Sequence, residues 1–416
     1  MSIKPGETLT MRQCIGIALA KNPAIRAGID NTFISENRVG EARSNYYPQV
    51  SISASQNEYS LPSGSTTGTM VNGSRKNITQ SGFSGAASVT QNIYDSGRTS
   101  SQVKVQKSNL GASREDLKST EENLVLAVKQ AYYGLLQAMR NRDTAQEVVK
   151  QFGQQLKQAE AFHEAGVKPR YDVTTAEVNL SNAKLALIKA ENAIKLARAA
   201  LNNTMGVPNA PDYNIEDNMA YEKYGITFDE ALRKAFENRP DLKSLQFRQM
   251  AAAQSIELAK TGYYPSIAGS ASYGYTGDNL PLDHYWSAGV TVSLPLFNGF
   301  LTKYQVLESR NTLDLTKAAA ESLRQNIYYE VQSDFLNLQE AGDSLATAKL
   351  SVRQATENLD IARGRYNYGV GSPIEVTDAV ASYSTAQTAY TNALYNYKIA
   401  QALIEKAMGL YGGGEK

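Results

Sequence analysis

Little in this chain offers chemistry at a single point. Its 416 residues include one cysteine, Cys14, so no disulfide can close within the chain. The stretch around it, MRQCIGIALA, reads as a helix, where a small apolar residue on a buried face is its expected role. The two histidines, His163 and His284, stand far apart with no Cys, Asp or Glu at ligand spacing. A metal centre and histidine-dependent catalysis are both poor fits. No nucleophile–base set and no phosphate-binding loop occurs, so neither an enzyme nor a cofactor is implied. Neither sign of charge dominates: 42 basic and 41 acidic residues leave a net charge of +1, which excludes a strong nucleic-acid signature. No apolar run approaches the roughly 18 residues of a membrane helix. The opening MSIKPGETLT lacks the charged start and apolar core of an export signal. The expectation is therefore a cytosolic protein, or an exported one written without its signal. Tryptophan occurs once beside 25 Tyr and 10 Phe, amid many small residues. That mixture suits surfaces that are neither ordinary core nor ordinary solvent face.

What is present is a repeat. AKNPAI (Ala20–Ile25) answers ENRPDL (Glu237–Leu242), and the YYP at Tyr46–Pro48 answers the YYP at Tyr263–Pro265, both offset by 217 (237 − 20; 263 − 46). Further on the offset is 203: AYYGLLQA answers DFLNLQEA, Gly166 answers Gly369 (369 − 166), and Met205-Gly206 answers Met408-Gly409. SVTQNIYDSG and TVSLPLFNG also correspond. The change of 14 (217 − 203) falls where the first copy carries an extra loop, LPSGSTTGTMVNGSRKN. The reading is repeat 1 over 1–206, a linker over 207–225, repeat 2 over 226–410 and a tail over 411–416. Each repeat runs helix, YYP, two short alternating segments, a very long helix, a glycine break and a return helix.

The long segments carry a seven-residue period. The return helix of repeat 1 reads Val173, Leu180, Leu187, Ile194, Leu201 with Ala176, Ala183, Ala190, Ala197 alongside. Its twin reads Val376, Tyr383, Tyr390, Tyr397, Ile404 with Ala379, Ala386, Ala393, Ala400. The outgoing helices carry Leu124/Val128, Ala131/Leu135, Ala145/Val149, Phe152/Leu156 and Ile327/Val331, Ala341/Leu345, Ala348/Val352, Ala355/Leu359. Such a period imposes a left-handed supercoil, and the alanines allow close approach. From Arg98 to Ala165 a continuous helix would span about 100 Å. These helices alone fit a soluble antiparallel coiled-coil rod equally well.

The short segments, near 49–58, 82–94, 265–276 and 285–297, decide the matter. Each alternates between an apolar and a small polar face. Ile267, Ala271, Tyr273, Tyr275 and then Trp286, Ala288, Val290, Val292, Leu294, Leu296 lie on one side. Ser266, Ser270, Ser272 and then Ser287, Thr291, Ser293 lie on the other, and repeat 1 follows suit with Val50, Ile52, Ala54, Phe83, Val89 against Ser51, Ser53, Ser55, Ser84, Ser88. A soluble sandwich would put Lys or Glu on its outer face. Nearly uncharged polar faces and rim aromatics instead fit transmembrane β-barrel strands, with lipid outside and water inside. Four strands cannot close a barrel and a membrane sheet cannot keep open edges, so several chains must share one.

These residues resemble the TolC-like outer membrane efflux proteins over essentially the whole chain. The resemblance rests on the duplicated order, the LTMRQCIGIALAKNPAI and ITFDEALRKAFENRPDL openings, the YYP turns, NIYDSG and LPLFNG, and YNYGVGSPIEVTDA. It implies a membrane α+β fold from an internal duplication. Three copies would form a twelve-stranded outer-membrane β-barrel, continued by a long periplasmic coiled-coil α-barrel. It also implies a passive exit duct in an outer membrane of Gram-negative type, without cofactor, working with a periplasmic adaptor protein and an inner-membrane transporter. The glycine breaks then become the periplasmic tips: Gly166 and Val167 in the first, Gly369, Val370 and Gly371 in the second, contacting the adaptor. Gly166 and Gly369 are expected at positive φ and Pro373 in the first turn of the return helix. In the family a tip tyrosine bonds an aspartate of the other hairpin and holds the entrance shut; Tyr366 and Asp172 stand at those places. A family arginine is replaced by Gly371, and no N-terminal cysteine for lipidation is present. Glu375 and Asp378 fit either ordinary helix-dipole partners or a lumen-facing acidic ring. The alternative function is a soluble or periplasmic coiled-coil scaffold or adaptor, although adaptors add β-rich domains with charged outer faces. The exported substrate is not legible.

Overall fold

The computed structural model describes residues 3–61 and 78–410. The extra loop of the first repeat, beyond Leu61, and the tail 411–416 lie outside the described residues. Two short helices, α1 (Met11–Lys21) and α2 (Pro23–Ser44), open the chain, and α5 (Phe228–Asn238) and α6 (Pro240–Lys260) open its second half. Each expected single helix is thus a pair, because proline at the first helical position cannot donate to the preceding turn. Asn22 marks the first break: its Oδ1 accepts from Ala24 N–H at 2.8 Å.

After α2 come β2 (Gln49–Leu61) and β3 (Ile78–Tyr94), then α3 (Arg98–Glu164) and α4 (Arg170–Thr204). After α6, a 3-10 turn leads to β5 (Ser266–Gly277) and β6 (Asp283–Ser293), then α7 (Leu301–Asn367) and α8 (Pro373–Ala407). The long helices match in length, 67 residues for α3 and α7 and 35 for α4 and α8. No helix among the described residues is long and apolar enough to cross a membrane.

The chain divides into two compact units. One comprises Thr32–Ser113 and Leu245–Ala319. It holds a four-stranded antiparallel sheet in the order β2-β3-β5-β6. The register pairs like with like: Val50↔Val89, Ala87↔Tyr273 and Tyr273↔Trp286 share one face. On the other face serines meet across strands, Ser51 with Ser88, Ser55 with Ser84 and Ser272 with Ser287, each oxygen pair 2.8 Å apart. The apolar face stays uncovered in the single chain, Ile52 at 84%, Trp286 at 74% and Val290 at 66% exposure. The last strand ends at Ser293, short of the expected 297, since Pro295 has no N–H for the ladder; Leu294 and Leu296 fall in the exit loop. Both exits turn through two residues of positive φ, Ser96 and Gly97 before α3, Gly299 and Phe300 before α7. Asp95 accepts from Gly97 and Thr99 N–H at 3.1 and 2.8 Å, fixing the first.

The other unit comprises Met1–Asn31, Arg114–Ser244 and Ala320–Lys416. A two-stranded parallel pair, β1 (Thr8–Leu9) with β4 (Asn214–Ile215), lies in it. Nothing in the sequence pointed to that pair. It draws the segment 207–225 into the core: Tyr213 and Met219 are buried, and the Tyr132 hydroxyl donates to the Leu9 and Glu216 carbonyls at 3.2 and 2.7 Å. The segment between the repeats is thus held by packing and hydrogen bonds. The heptads pack as their period demands. Ala379, Ala386, Ala393 and Ala400 are buried along α8, and Val331, Leu338, Leu345, Leu359 and Tyr366 along α7. In α3 the stripe shifts near its end: Gln155 and Ala159 are buried after Phe152, while Leu156 is only half-buried.

Candidate functional site

The two glycine breaks lie in this second unit and are built alike. Gly166, at φ +73°, donates to His163 O at 2.9 Å, and Val167 N–H reaches Phe162 O at 2.9 Å. Gly369, at φ +76°, donates to Tyr366 O at 3.0 Å, and Val370 N–H reaches Arg365 O at 3.0 Å. This is the helix-ending pattern that a left-handed residue permits, and glycine adopts it without a Cβ penalty. Gly371 is needed for a different reason: a Cβ there would lie 2.8 Å from Tyr366 N. Both turns present apolar side chains outward, Val167 at 66%, Val370 at 70% and Tyr368 at 88% exposure.

Behind the turns the hairpins share a core of Phe152, Ala183, Leu359, Ala362, Tyr366, Val376, Ala379 and Val380. Tyr366 is buried and meets Phe162 edge-on, ring centres 5.7 Å apart. Burial, then the nearby Asp172 carboxylate, raises its pKa. The expected Tyr366–Asp172 hydrogen bond is absent, however: the hydroxyl has no partner among the described residues. Packing against Phe162 fixes the ring without it.

Amides join the hairpins instead. Gln155 Nε2 donates to Pro373 O at 3.2 Å and to Thr377 Oγ1 at 3.3 Å. Asn179 Nδ2 reaches the same Thr377 Oγ1 at 3.3 Å. Gln158 Nε2 donates to Asn367 Oδ1 at 2.7 Å. Of these residues only Pro373 was singled out from the sequence, and for its place in the helix rather than for this tie. The available signal was a glutamine at i+3 from Phe152, inside an otherwise apolar heptad stripe.

The two acids separate. Glu375 is the N3 residue of α8; its Oε1 accepts from Ser372 N–H at 3.3 Å, and Ser372 Oγ accepts from Ile374 N–H at 3.2 Å. Its Oε2 accepts from Arg365 Nε at 3.1 Å. Asp378 lies beyond the first turn, exposed, with no hydrogen bond or ion pair among the described residues. The dipole reading therefore fits Glu375, and Asp378 is the unoccupied carboxylate.

A membrane-type sheet with one apolar and one serine-lined face, joined in sequence to long heptad hairpins, defines the class of outer-membrane channel proteins. The chain belongs to the outer membrane efflux protein family, whose model matches residues 14–207 and 231–410. The outer membrane protein TolC of Escherichia coli is 25% identical over 416 residues, covering 94% of this chain and 80% of TolC. A membrane protein from Pseudomonas aeruginosa has the same fold at TM-score 0.81 and 20% identity, covering 96% of this chain and 90% of its own. The CmeC outer membrane channel of Campylobacter jejuni does so at 0.80 and 18%, covering 98% and 87%. The protein is therefore an outer-membrane exit duct of efflux or secretion systems, in a family of channels rather than enzymes. The soluble scaffold reading is set aside by this membership.

Proposed function

We propose that three copies of the chain form one passive duct, each giving four strands to a shared barrel of twelve (3 × 4) and two hairpins to a periplasmic α-barrel. The observation that carries this is the sheet itself: among the described residues β2 and β6 each keep an unpaired edge, and every backbone group inside a membrane needs a partner. Closing β2 of one copy on β6 of the next satisfies both edges. The twice-repeated order of elements, with long helices of equal length, supports an internal duplication behind this architecture. The apolar turns at Val167 and Val370 are the surface for a periplasmic adaptor, which opens the tips and links the duct to an inner-membrane transporter. No catalysis and no cofactor take part; the partners supply the energy. Three copies of Asp378, with Glu375, place negative charge at the narrowest point, so cations pass preferentially there. Paired cysteines scanned along β2 and β6 test the closure. Disulfide-linked dimers and trimers support it, and cross-linking confined to single chains argues against it.

A further inference from the structure

Glu122 on α3 is a carboxylate at 9% exposure with no hydrogen bond or ion pair among the described residues. It faces Arg239, between α5 and α6, Asp241 and Lys243 from α6, and Lys406 from α8. Two of the three cations around it are already engaged, and Lys243 makes no side-chain hydrogen bond or ion pair among the described residues. Arg239 is itself 7% exposed and spends its guanidinium on Asp241, at 3.1 and 2.7 Å, and on Glu330 of α7, at 2.6 Å. Lys406 donates to the same Glu330 at 3.2 Å. On α3 itself the neighbouring Lys129 is held by Glu405 of α8 at 2.6 Å, and Glu405 also accepts from Gln401 at 3.0 Å. Asp334, four residues beyond Glu330 on α7, faces Glu330, Lys406 and Arg239 without a side-chain hydrogen bond or ion pair among the described residues. Four carboxylates (Glu122, Asp241, Glu330, Asp334) thus meet three cations (Arg239, Lys243, Lys406). The gap beside Glu122, lined by Val125, Leu126, Ala402 and Leu410 and by the paired Lys129, Glu405 and Lys406, is about 10 Å³, about the space one water needs. An unpaired carboxylate so placed is held more cheaply as the neutral acid.

We propose that this cluster is a proton-sensitive joint, in which Glu122 holds a proton while α3 is packed against α6 and α8 and loses it as that packing loosens. Burial, opposed by Arg239, pushes Glu122 up to about 7. Burial and Glu330 push Asp334 to about 6. Both carboxyls are raised on folding, so the stabilisation is fully present below their ordinary values and is lost as pH rises through 6 to 7. The joint tightens in acid and loosens toward alkaline pH. It stands apart from the amide ties at the turns, and it holds whether or not the channel closes there.

Infrared pH-difference spectra of the full chain in detergent test this directly. The expected result is a protonated-carboxyl carbonyl band that titrates near pH 7 and disappears in Glu122→Gln but persists in Asp334→Asn. Hydrogen exchange of the α3 amides around Leu126, corrected for intrinsic rates, should quicken by up to about tenfold per pH unit between the ordinary glutamate range and the midpoint, and level off above it. Glu122→Gln should abolish that dependence. A midpoint in the ordinary glutamate range, roughly 4.3, overturns the proposal in wild type alone, whether or not the variant folds. So does a band that survives Glu122→Gln.

Discussion

Gln158 Nε2 donates to Asn367 Oδ1 at 2.7 Å, joining the end of α3 to the last residue of α7. With Gln155 on Pro373 and Thr377, and Asn179 on the same threonine, it ties the first hairpin to the second just behind both turns. Removing Gln155 and Gln158 together, as alanines, should free the second hairpin. A net loss of about 1–3 kcal/mol is expected, since Gln155 is buried and each tie contributes about 1 kcal/mol. Single-channel recording in planar bilayers should show higher conductance of the closed state.

Tyr366→Phe, by contrast, should leave that conductance near wild type. The hydroxyl it removes has no partner among the described residues, and the ring contact with Phe162 survives the change. A rise comparable to that of the glutamine pair would return the closing role to Tyr366 and Asp172.

The acids near the second turn should separate in the same recordings. Asp378→Ala is expected to reduce cation preference with little effect on stability, because its carboxylate holds no other group. Glu375→Ala should cost about 0.5–2 kcal/mol through the lost cap, with a smaller change in selectivity. The exposed Arg365–Glu375 pair adds little to that figure. Unchanged selectivity in the double variant would assign both acids to the helix alone.

On the sheet, cysteines at Ser287 and Thr291 should label with a membrane-impermeant reagent, and cysteines at Val290 and Val292 should not. The register places the first two on the serine face and the second two on the apolar face. Equal labelling would reverse the assignment of lipid and lumen.

Much of this was legible because period and glycine placement are backbone facts written in sequence. Gly166 and Gly369 could be put at positive φ, and the serine faces of the strands identified, from spacing alone. The β1–β4 pair was not legible, since two residues per strand leave no alternation to read and its hold comes from the distant Tyr132. The missing Tyr366–Asp172 bond was invisible for a related reason. Which polar group a buried side chain meets depends on rotamers and on the shift of the α3 stripe toward Gln155, not on either residue's place in a motif.

Whether copies share the barrel is decided by mass measurement of the purified chain in mild detergent. The expected species is a stable trimer that loses its β-sheet signal when it is dissociated, because β2 and β6 are then left open. A monodisperse, folded monomer that keeps its sheet would contradict a shared barrel.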